Sequence, residues 1–586
     1  MECNYHLFLL LMTWTLYVSA VPFGNFSGNY RYNLILDPTH DIHFFWDVDY
    51  RRNLVHVKIV SRVPETSWFG VGFSDYGEST FADFVVFWTN SQGTHHFQDT
   101  WTDGKGILHI DSSQDYVLER GKTQWDMTVL EFSRHFETCD GKDYQLDNGT
   151  THIVYFVSEG NPRSITGHNV TAAYHGLQRV QLLKPDINLA RFPPDVWTFE
   201  ILAPKVHVPP VETTYWWYTT TLPPLPNKQH IIQYEGVIEP TSKNLVHHIE
   251  VFYCVGVSGR LPFYNGPGLA EGKPPELASC RNVIGAWAMG AGPIAYPEEA
   301  GYAIGGRGFS QFILLEVHYN NPRFIKGVVD SSGIRFYVSP TPRKYDAGIL
   351  ELGLEYTNKM ALPPGQDLFK LIGYCIRECT SIALPRRGIK IFASQLHTHL
   401  TGKAVYTKHV RDGVELPELN RDDHYSPHFQ EIRRLPEPVH ILPNDALITV
   451  CEDSTKDRKH VTVGGFSISQ EMCVNYVHYY PKSDLEVCKS SVDTRALNGF
   501  FEFMNRMEKM PTSAKKGDID NYNSIDWTPL NSHLLKHLYA TSPLSMQCNQ
   551  SNGDRFPGYW DGMPLTRIIV PLPNEPSSCP RWQHYR

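Results

Sequence analysis

Beyond its N-terminus this 586-residue chain has no run long and apolar enough to span a bilayer and no lysine- and arginine-rich block that would track a phosphate backbone. Long helical periodicity is scarce as well. The first lack excludes a transmembrane helix in the mature chain. The second excludes nucleic acid as a partner, and the third disfavours a helical bundle. The formal charge of −9 is mild for such a length. Zinc-type cysteine pairs are missing too: only Cys375 and Cys379 lie close together, and their CxxxC has no partner CxxC.

What the chain has in quantity is aromatic residues, at 13%, with 43 glycines and 41 prolines, a composition that suits short strands joined by turns. The length exceeds one hydrophobic core, so about three domains are expected, and the fold class is mainly β, built of sandwiches. Residues 1–20 read as a secretory signal peptide, because Leu7–Val18 is apolar but short for a span, and Ser19 and Ala20 lead into polar sequence. A lumenal or secreted (extracellular) product follows. Cysteine usage agrees: of eleven, Cys3 lies in the signal, and the rest form an even, scattered set that reads as five disulfides. Sequons at Asn25, Asn148, Asn169 and Asn549 fit a glycosylated product.

Along the chain, residues 41–160 carry short alternating runs (HFFWDVDY, LVHVKIVSRV, ADFVVFWTN) and read as a β-sandwich. Its adjacent His95 and His96 have no accompanying ligand motif and read as ordinary polar residues. Residues 161–229 read as a linker, rich in Pro and Thr from Pro204 to Lys228, although Tyr215, Trp216, Trp217 and Tyr218 would be wasteful in solvent and imply packing on the next domain. Residues 230–339 and 345–489 read as two further β-rich, jelly-roll-like domains. A C-terminal extension, 490–586, closes or covers the third domain, with helix-like pieces at Leu485–Met507 and His533–Tyr539.

The richest stretch is Ile389–Gly402, IKIFASQLHTHLTG. In a strand alternate side chains share a face, so His397 and His399 project together, with Gln395 and Ala393 on the same side. In GGFSISQEMCVNYVHYYP the same rule groups Met472, Val474, Tyr476 and His478. Earlier, LVHHIEVFYC and ILLEVHYNNP place His247, His248 and His318 in apolar strands, where histidine needs a polar partner or a metal. A bare HH is a weak signal, since neighbours on a regular strand face opposite ways. Together these residues make one all-imidazole set and one set of two imidazoles and a thioether. A thioether suits Cu(I) better than zinc, and imidazole serves both copper states, so the pair points to copper that cycles and activates oxygen.

LVHHIEVFYC, WAMGAGPIAYPEEAG, LLEVHYNNP, FASQLHTHLTG, HYSPHFQEIR, GGFSISQEMCVNYVHYYP and ETTYWWY together resemble the copper type II, ascorbate-dependent monooxygenases, in their dopamine β-hydroxylase-like branch. The resemblance spans essentially the whole mature chain, with a DOMON-like sandwich at its N-terminus. It implies two coppers per chain: His247, His248 and His318 hold the electron-transfer copper, and His397, His399 and Met472 the copper that binds oxygen beside the substrate. Tyr215 and His397 match positions the family treats as catalytic. It also implies the disulfides Cys139–Cys579, Cys254–Cys280, Cys375–Cys488, Cys379–Cys548 and Cys451–Cys473.

Two departures bear on function. Trp217 and Gly268 stand where the hydroxylase has a disulfide, and Met510–Lys516 lacks its subunit-linking cysteines, which leaves a non-covalent homodimer open. Gln395 stands where peptide-amidating relatives carry an arginine, and an amide cannot pair with a carboxylate as a guanidinium does. The expected activity is hydroxylation of a small aromatic amine-like substrate with oxygen and ascorbate. The alternatives are a copper-binding protein of this fold that does not turn over and a peptide-directed monooxygenase.

Overall fold

The computed structural model describes residues 30–573 and Cys579, apart from residues 38–40, 64–65, 91, 125–126, 161, 188–190, 256–260 and 322. The signal-like residues 1–20 and Asn25 lie outside the described residues. Strand outweighs helix by 47% to 9%, so the architecture is mainly β.

The N-terminal sandwich packs two antiparallel sheets. One runs in the spatial order Tyr32–Asp37, Ile42–Asp49, Leu54–Ser61, Met127–His135, Val117–Gln124. The other runs Tyr174–Val180, Thr151–Glu159, Ser67–Ser74, Asp83–Thr89, His95–Thr102, Leu108–Ile110. Alternation supplies the core: Phe44, Val57, Val71, Phe73 and Ile153 meet between the sheets.

Residues 161–229 are not a linker. Tyr174–Val180 pairs with Thr151–Glu159, Trp197–Leu202 with Gly333–Ser339, and Thr213–Thr221 with Phe312–Asn320. The reason is local chemistry: Thr, Trp and Tyr favour strands, and the prolines at 204, 209, 210, 223, 224 and 226 fall outside them.

The second sandwich sets the sheet containing Gln229–Val237 and Gly333–Ser339 against one ordered Asn265–Pro267, Thr213–Thr221, Phe312–Asn320, Val246–Cys254, Cys280–Ala288. Ile249, Val251, Leu315, Val317, Ile334 and Phe336 fill the space between. The opposite face of the second sheet is thereby left to carry His248, Glu250, Glu316 and His318. The third sandwich is built on Ile389–Thr398 and Cys473–Tyr480, adjacent strands of a six-stranded sheet. Phe392, Ala393, Ile432 and Tyr480 join the apolar core of the second sandwich, so the two form one continuous packed body. The N-terminal sandwich is pinned to the third by Asp422, which accepts from Thr150 N at 3.0 Å and Oγ1 at 2.6 Å and pairs with Arg433 at 2.9 Å.

Leu485–Met507 is not one helical piece: Leu485–Val492 is a strand, and a helix follows over Thr494–Arg506. Asp493 sets the boundary by capping Arg495 N and Ala496 N. Leu544–Gln550 then pairs with Leu485–Val492, so the tail extends the sheet rather than merely covering it. Cys139–Cys579, Cys254–Cys280, Cys375–Cys488, Cys379–Cys548 and Cys451–Cys473 are bonded, the same pairs that the resemblance implies. Asn148 and Asn169 are exposed, whereas Asn549 is half-buried.

Candidate metal centres

His247 and His248 share a side because the strand is bulged there. Val246 pairs with Tyr319 and His248 with His318, which leaves His247 as the extra residue. The objection that adjacent residues point opposite ways is thereby removed. His248 Nδ1 lies 3.2 Å from His247 Nδ1 and 3.3 Å from His318 Nδ1. One ring nitrogen of each lies within 4.8 Å of the others. Burial, reinforced by the neighbouring imidazoles, lowers the His247 pKa to about 4, the His318 pKa to about 3 and that of His248 well below its ordinary value. The three rings are therefore neutral at pH 7, as metal ligands must be. His248 Nδ1 can share a proton with only one of its two neighbours, whereas a cation in the cup satisfies all three lone pairs at once. The residues fit a metal ion of the kind imidazole prefers. Tyr215 stacks flat on His318, ring centroids 4.4 Å apart and planes at 8°, and fixes its orientation.

At the second set the tautomers can be deduced. Gln430 Nε2 donates to the carbonyls of Thr398 at 3.1 Å and Pro427 at 2.7 Å, so its Oε1, 2.5 Å from His397 Nδ1, must accept. His399 Nδ1 lies 3.0 Å from the Gln470 carbonyl, which can only accept. Both imidazoles hold their proton on Nδ1 and keep a lone pair on Nε2 for a ligand. The ring planes stand at 86° with centroids 5.5 Å apart.

Met472 is buried, and strand pairing places it beside this pair. The ladder runs from Gln395 opposite Tyr476 through His397 opposite Val474 to Thr398 opposite Cys473, after which His399 and Met472 are the next residues on the two chains. Glu471 locks them together. Its Oε1 accepts the backbone N–H of His399 and, at 2.8 Å, that of Met472. Its Oε2 accepts Thr401 N at 2.9 Å and Thr401 Oγ1 at 2.6 Å. Thr401 Oγ1 also lies 2.8 Å from Asp453, but a hydroxyl has one proton to give. Burial, and next the Glu471 charge, raise the Asp453 pKa well above the carboxylate range, so Asp453 is the protonated partner that donates back.

The two sets face one another. After burial, His318 and His247, the charge of His397 also lowers the His248 pKa. One layer below the imidazoles, strand pairing sets Trp217 beside Glu316 and Glu316 beside Glu250. Trp217 Nε1 donates to Glu316, and burial followed by Glu316 raises the Glu250 pKa. Across the cleft, Tyr476 lies with its ring 6.0 Å from that of His397, and its pKa is raised by burial and by Glu351, Tyr356 and Glu250. Gly268 is required under Trp217, since a β-carbon there would sit 2.5 Å from the indole nitrogen. Tryptophan over glycine thus fills the place of a disulfide.

His95 and His96 stack on Phe87 and Trp88, and no third ligand joins them among the described residues. Sequence reasoning missed Gln430, Glu471, His428 and Glu250. The first three lie inside motifs that stood out for other reasons, and Glu250 is an acid two residues beyond His248 in an apolar strand.

Residues 199–326 match the model of the copper type II ascorbate-dependent monooxygenase N-terminal domain, residues 345–501 that of its C-terminal domain, and residues 38–158 the DOMON domain. The chain is 46% identical to dopamine beta-hydroxylase of Equus caballus over 578 residues, covering 98% of this chain and 93% of the relative. It is 36% identical to tyramine beta-hydroxylase of Caenorhabditis briggsae, covering 87% and 86%. It is 32% identical to DBH-like monooxygenase protein 1 of Mus musculus, covering 93% and 90%.

Proposed function

The chain belongs to the copper type II ascorbate-dependent monooxygenase family, and on that premise we propose that it hydroxylates a small aromatic amine held between the two metal sets. In this reading His247, His248 and His318 hold an electron-relaying copper, and His397, His399 and Met472 hold the copper beside the substrate. Copper supplies the one-electron chemistry that lets oxygen be inserted into a C–H bond. The protein supplies the rest. Gln430 and the Gln470 carbonyl keep His397 and His399 in the tautomer a metal needs. Tyr215 positions His318 by stacking, and burial, then Glu316 and Glu250, raise its pKa to about 12, so it remains a neutral phenol.

One observation carries the substrate class: Glu250 lies on the cleft face two residues from His248, half-buried and paired in register with a second carboxylate. Glu316 is already engaged by the Trp217 indole, while no side-chain hydrogen bond reaches Glu250 among the described residues. An arriving ammonium would ionise Glu250 and pair with it in a site poor in water. Gln395 donates to the Gln430 carbonyl at 2.9 Å, so it offers no charge to a peptide carboxylate. The five disulfides favour a secretory-pathway location, and no helix among the described residues is long and apolar enough to cross a membrane.

Oxygen uptake with ascorbate, measured across phenethylamines, their amine-free analogues and peptidylglycines, tests this reading. Phenethylamines are expected to be turned over best. Glu250→Gln is expected to raise their KM on the order of 30-fold and leave amine-free analogues unchanged. Preferred turnover of peptidylglycines, or an unchanged amine KM in the variant, would refute the substrate class.

A further inference from the structure

A cavity of about 930 Å³ lies along the N-terminal sandwich and reaches the third, and none of the candidate metal ligands lines it. Tyr30, Arg31, Asp47, Tyr50 and Asp186 contribute from the first sandwich and Pro436 from the other. The volume falls within the range of pockets that enclose an organic ligand. A second cavity, of about 380 Å³, enters the third sandwich beside Leu396 and Asn420. Asn148, Pro185 and Pro436 line both, so the two spaces meet at Asn148.

The larger cavity has the chemistry of a surface that takes sugar. Its charged residues are the three carboxylates of Asp47, Asp49 and Asp186, the guanidinium groups of Arg31 and Arg51, and the imidazole of His56. Neither sign dominates, and Arg31 already pairs with Asp47 at 3.2 Å and Asp186 at 3.0 Å, so a neutral polyhydroxyl ligand fits better than an ion. Tyr30 and Tyr50 supply the aromatic faces that cover the C–H side of a pyranose ring. Tyr50 is held ready: its hydroxyl donates to the Lys184 carbonyl at 2.8 Å, and its ring meets that of Phe136 edge-on with centroids 5.8 Å apart. Such a ligand has a point of attachment in the wall itself, because Asn148, Gly149 and Thr150 form an acceptor sequon and Asn148 is exposed. Thr150 is buried, its hydroxyl donating to Asp422 at 2.6 Å and accepting from Arg433 at 2.8 Å. The triplet is therefore closed once the third sandwich docks, and a sugar must be added before that. Chain order permits it, since Asp422 emerges 272 residues after Thr150.

We propose that Asn148 carries an N-linked glycan whose first sugars lie in the larger cavity against Tyr50 and Tyr30, bridging the N-terminal sandwich and the Pro436 edge of the third. In the attachment step the Asn148 amide nitrogen bonds to the anomeric carbon of an oligosaccharyl diphosphate donor. The bond from that carbon to the diphosphate breaks, the diphosphate leaves with its electron pair, and one amide proton passes to solvent. Tethering then favours the seat. A glycan fixed to the wall stays at high effective concentration beside the two rings, so individually weak stacking contacts suffice to hold it. The inference is independent of the copper reading.

The test uses the full-length chain expressed in animal cells. Mass spectrometry of the peptide containing Asn148 should show it glycosylated. Peptide-N-glycosidase should release that glycan at least about tenfold more slowly from native than from denatured protein. Tyr50→Ala should speed release from the native protein about tenfold, and Arg31→Gln about threefold. Both side chains are exposed, Tyr50 at 39% and Arg31 at 52%, so neither change removes core, and the unfolding midpoint should stay close to wild type. An unmodified Asn148 overturns the proposal. So does a glycan released equally fast from native and denatured protein, or a native release rate that neither variant changes.

Discussion

Replacing Glu471 with alanine will destabilise the third sandwich by about 3 kcal/mol or more and empty the second metal set. The carboxylate is fully buried and accepts four donors: the N–H groups of His399, Thr401 and Met472 and the Thr401 hydroxyl. Alanine leaves the three backbone N–H groups without an acceptor in a buried place, while the Thr401 hydroxyl can turn to Asp453. Two of the four belong to His399 and Met472, the residues proposed to present nitrogen and sulfur to one ion, so order is lost where that proposal needs it most. Glu471→Gln keeps one acceptor oxygen and is the gentler variant. It should fold, with copper affinity at the His397–His399 set reduced roughly 10- to 100-fold. Thermal unfolding and metal analysis of both variants provide the check, and a wild-type midpoint with full copper in Glu471→Ala would contradict the locking role.

Met472→Ile should abolish most oxygen chemistry while sparing the fold. Isoleucine nearly conserves the volume of a buried side chain, a change that costs less than about 1.5 kcal/mol in a packed core. It removes the thioether, the one soft donor of the proposed set and the one that would favour Cu(I). Ascorbate-dependent turnover is expected to fall at least about 100-fold with an unfolding midpoint close to wild type. Unchanged turnover would show that the sulfur has no part in the chemistry.

Much of this was legible in the residues, for reasons that can be named. Period-two alternation in IHFFWDVD and similar runs requires half-buried strands, and the HTH spacing at the end of the Ile389–Thr398 strand leaves the His397 and His399 rings 5.5 Å apart. The placement of His247 was not legible, because a bulge is a mismatch between two strands and Tyr319 lies far from Val246 in sequence. For the same reason Gln430, 33 residues from His397, and Glu471, 72 residues from His399, could not be paired with their histidines in advance. The stretch 161–229 misled because its prolines, which flank the strands, drew attention from the Thr and aromatic residues that form them. Trp217 over Gly268 shows the converse: two absent cysteines signalled a substitution whose filling only the packing reveals.

Copper content of the purified, copper-loaded and dialysed protein tests the central claim most directly. Two ions per chain are expected in the wild type, falling to one in the double variant His247→Ala, His248→Ala and to one in His397→Ala, His399→Ala. One ion or none in the wild type, or two retained in either double variant, would contradict the existence of two separate centres facing each other across the cleft.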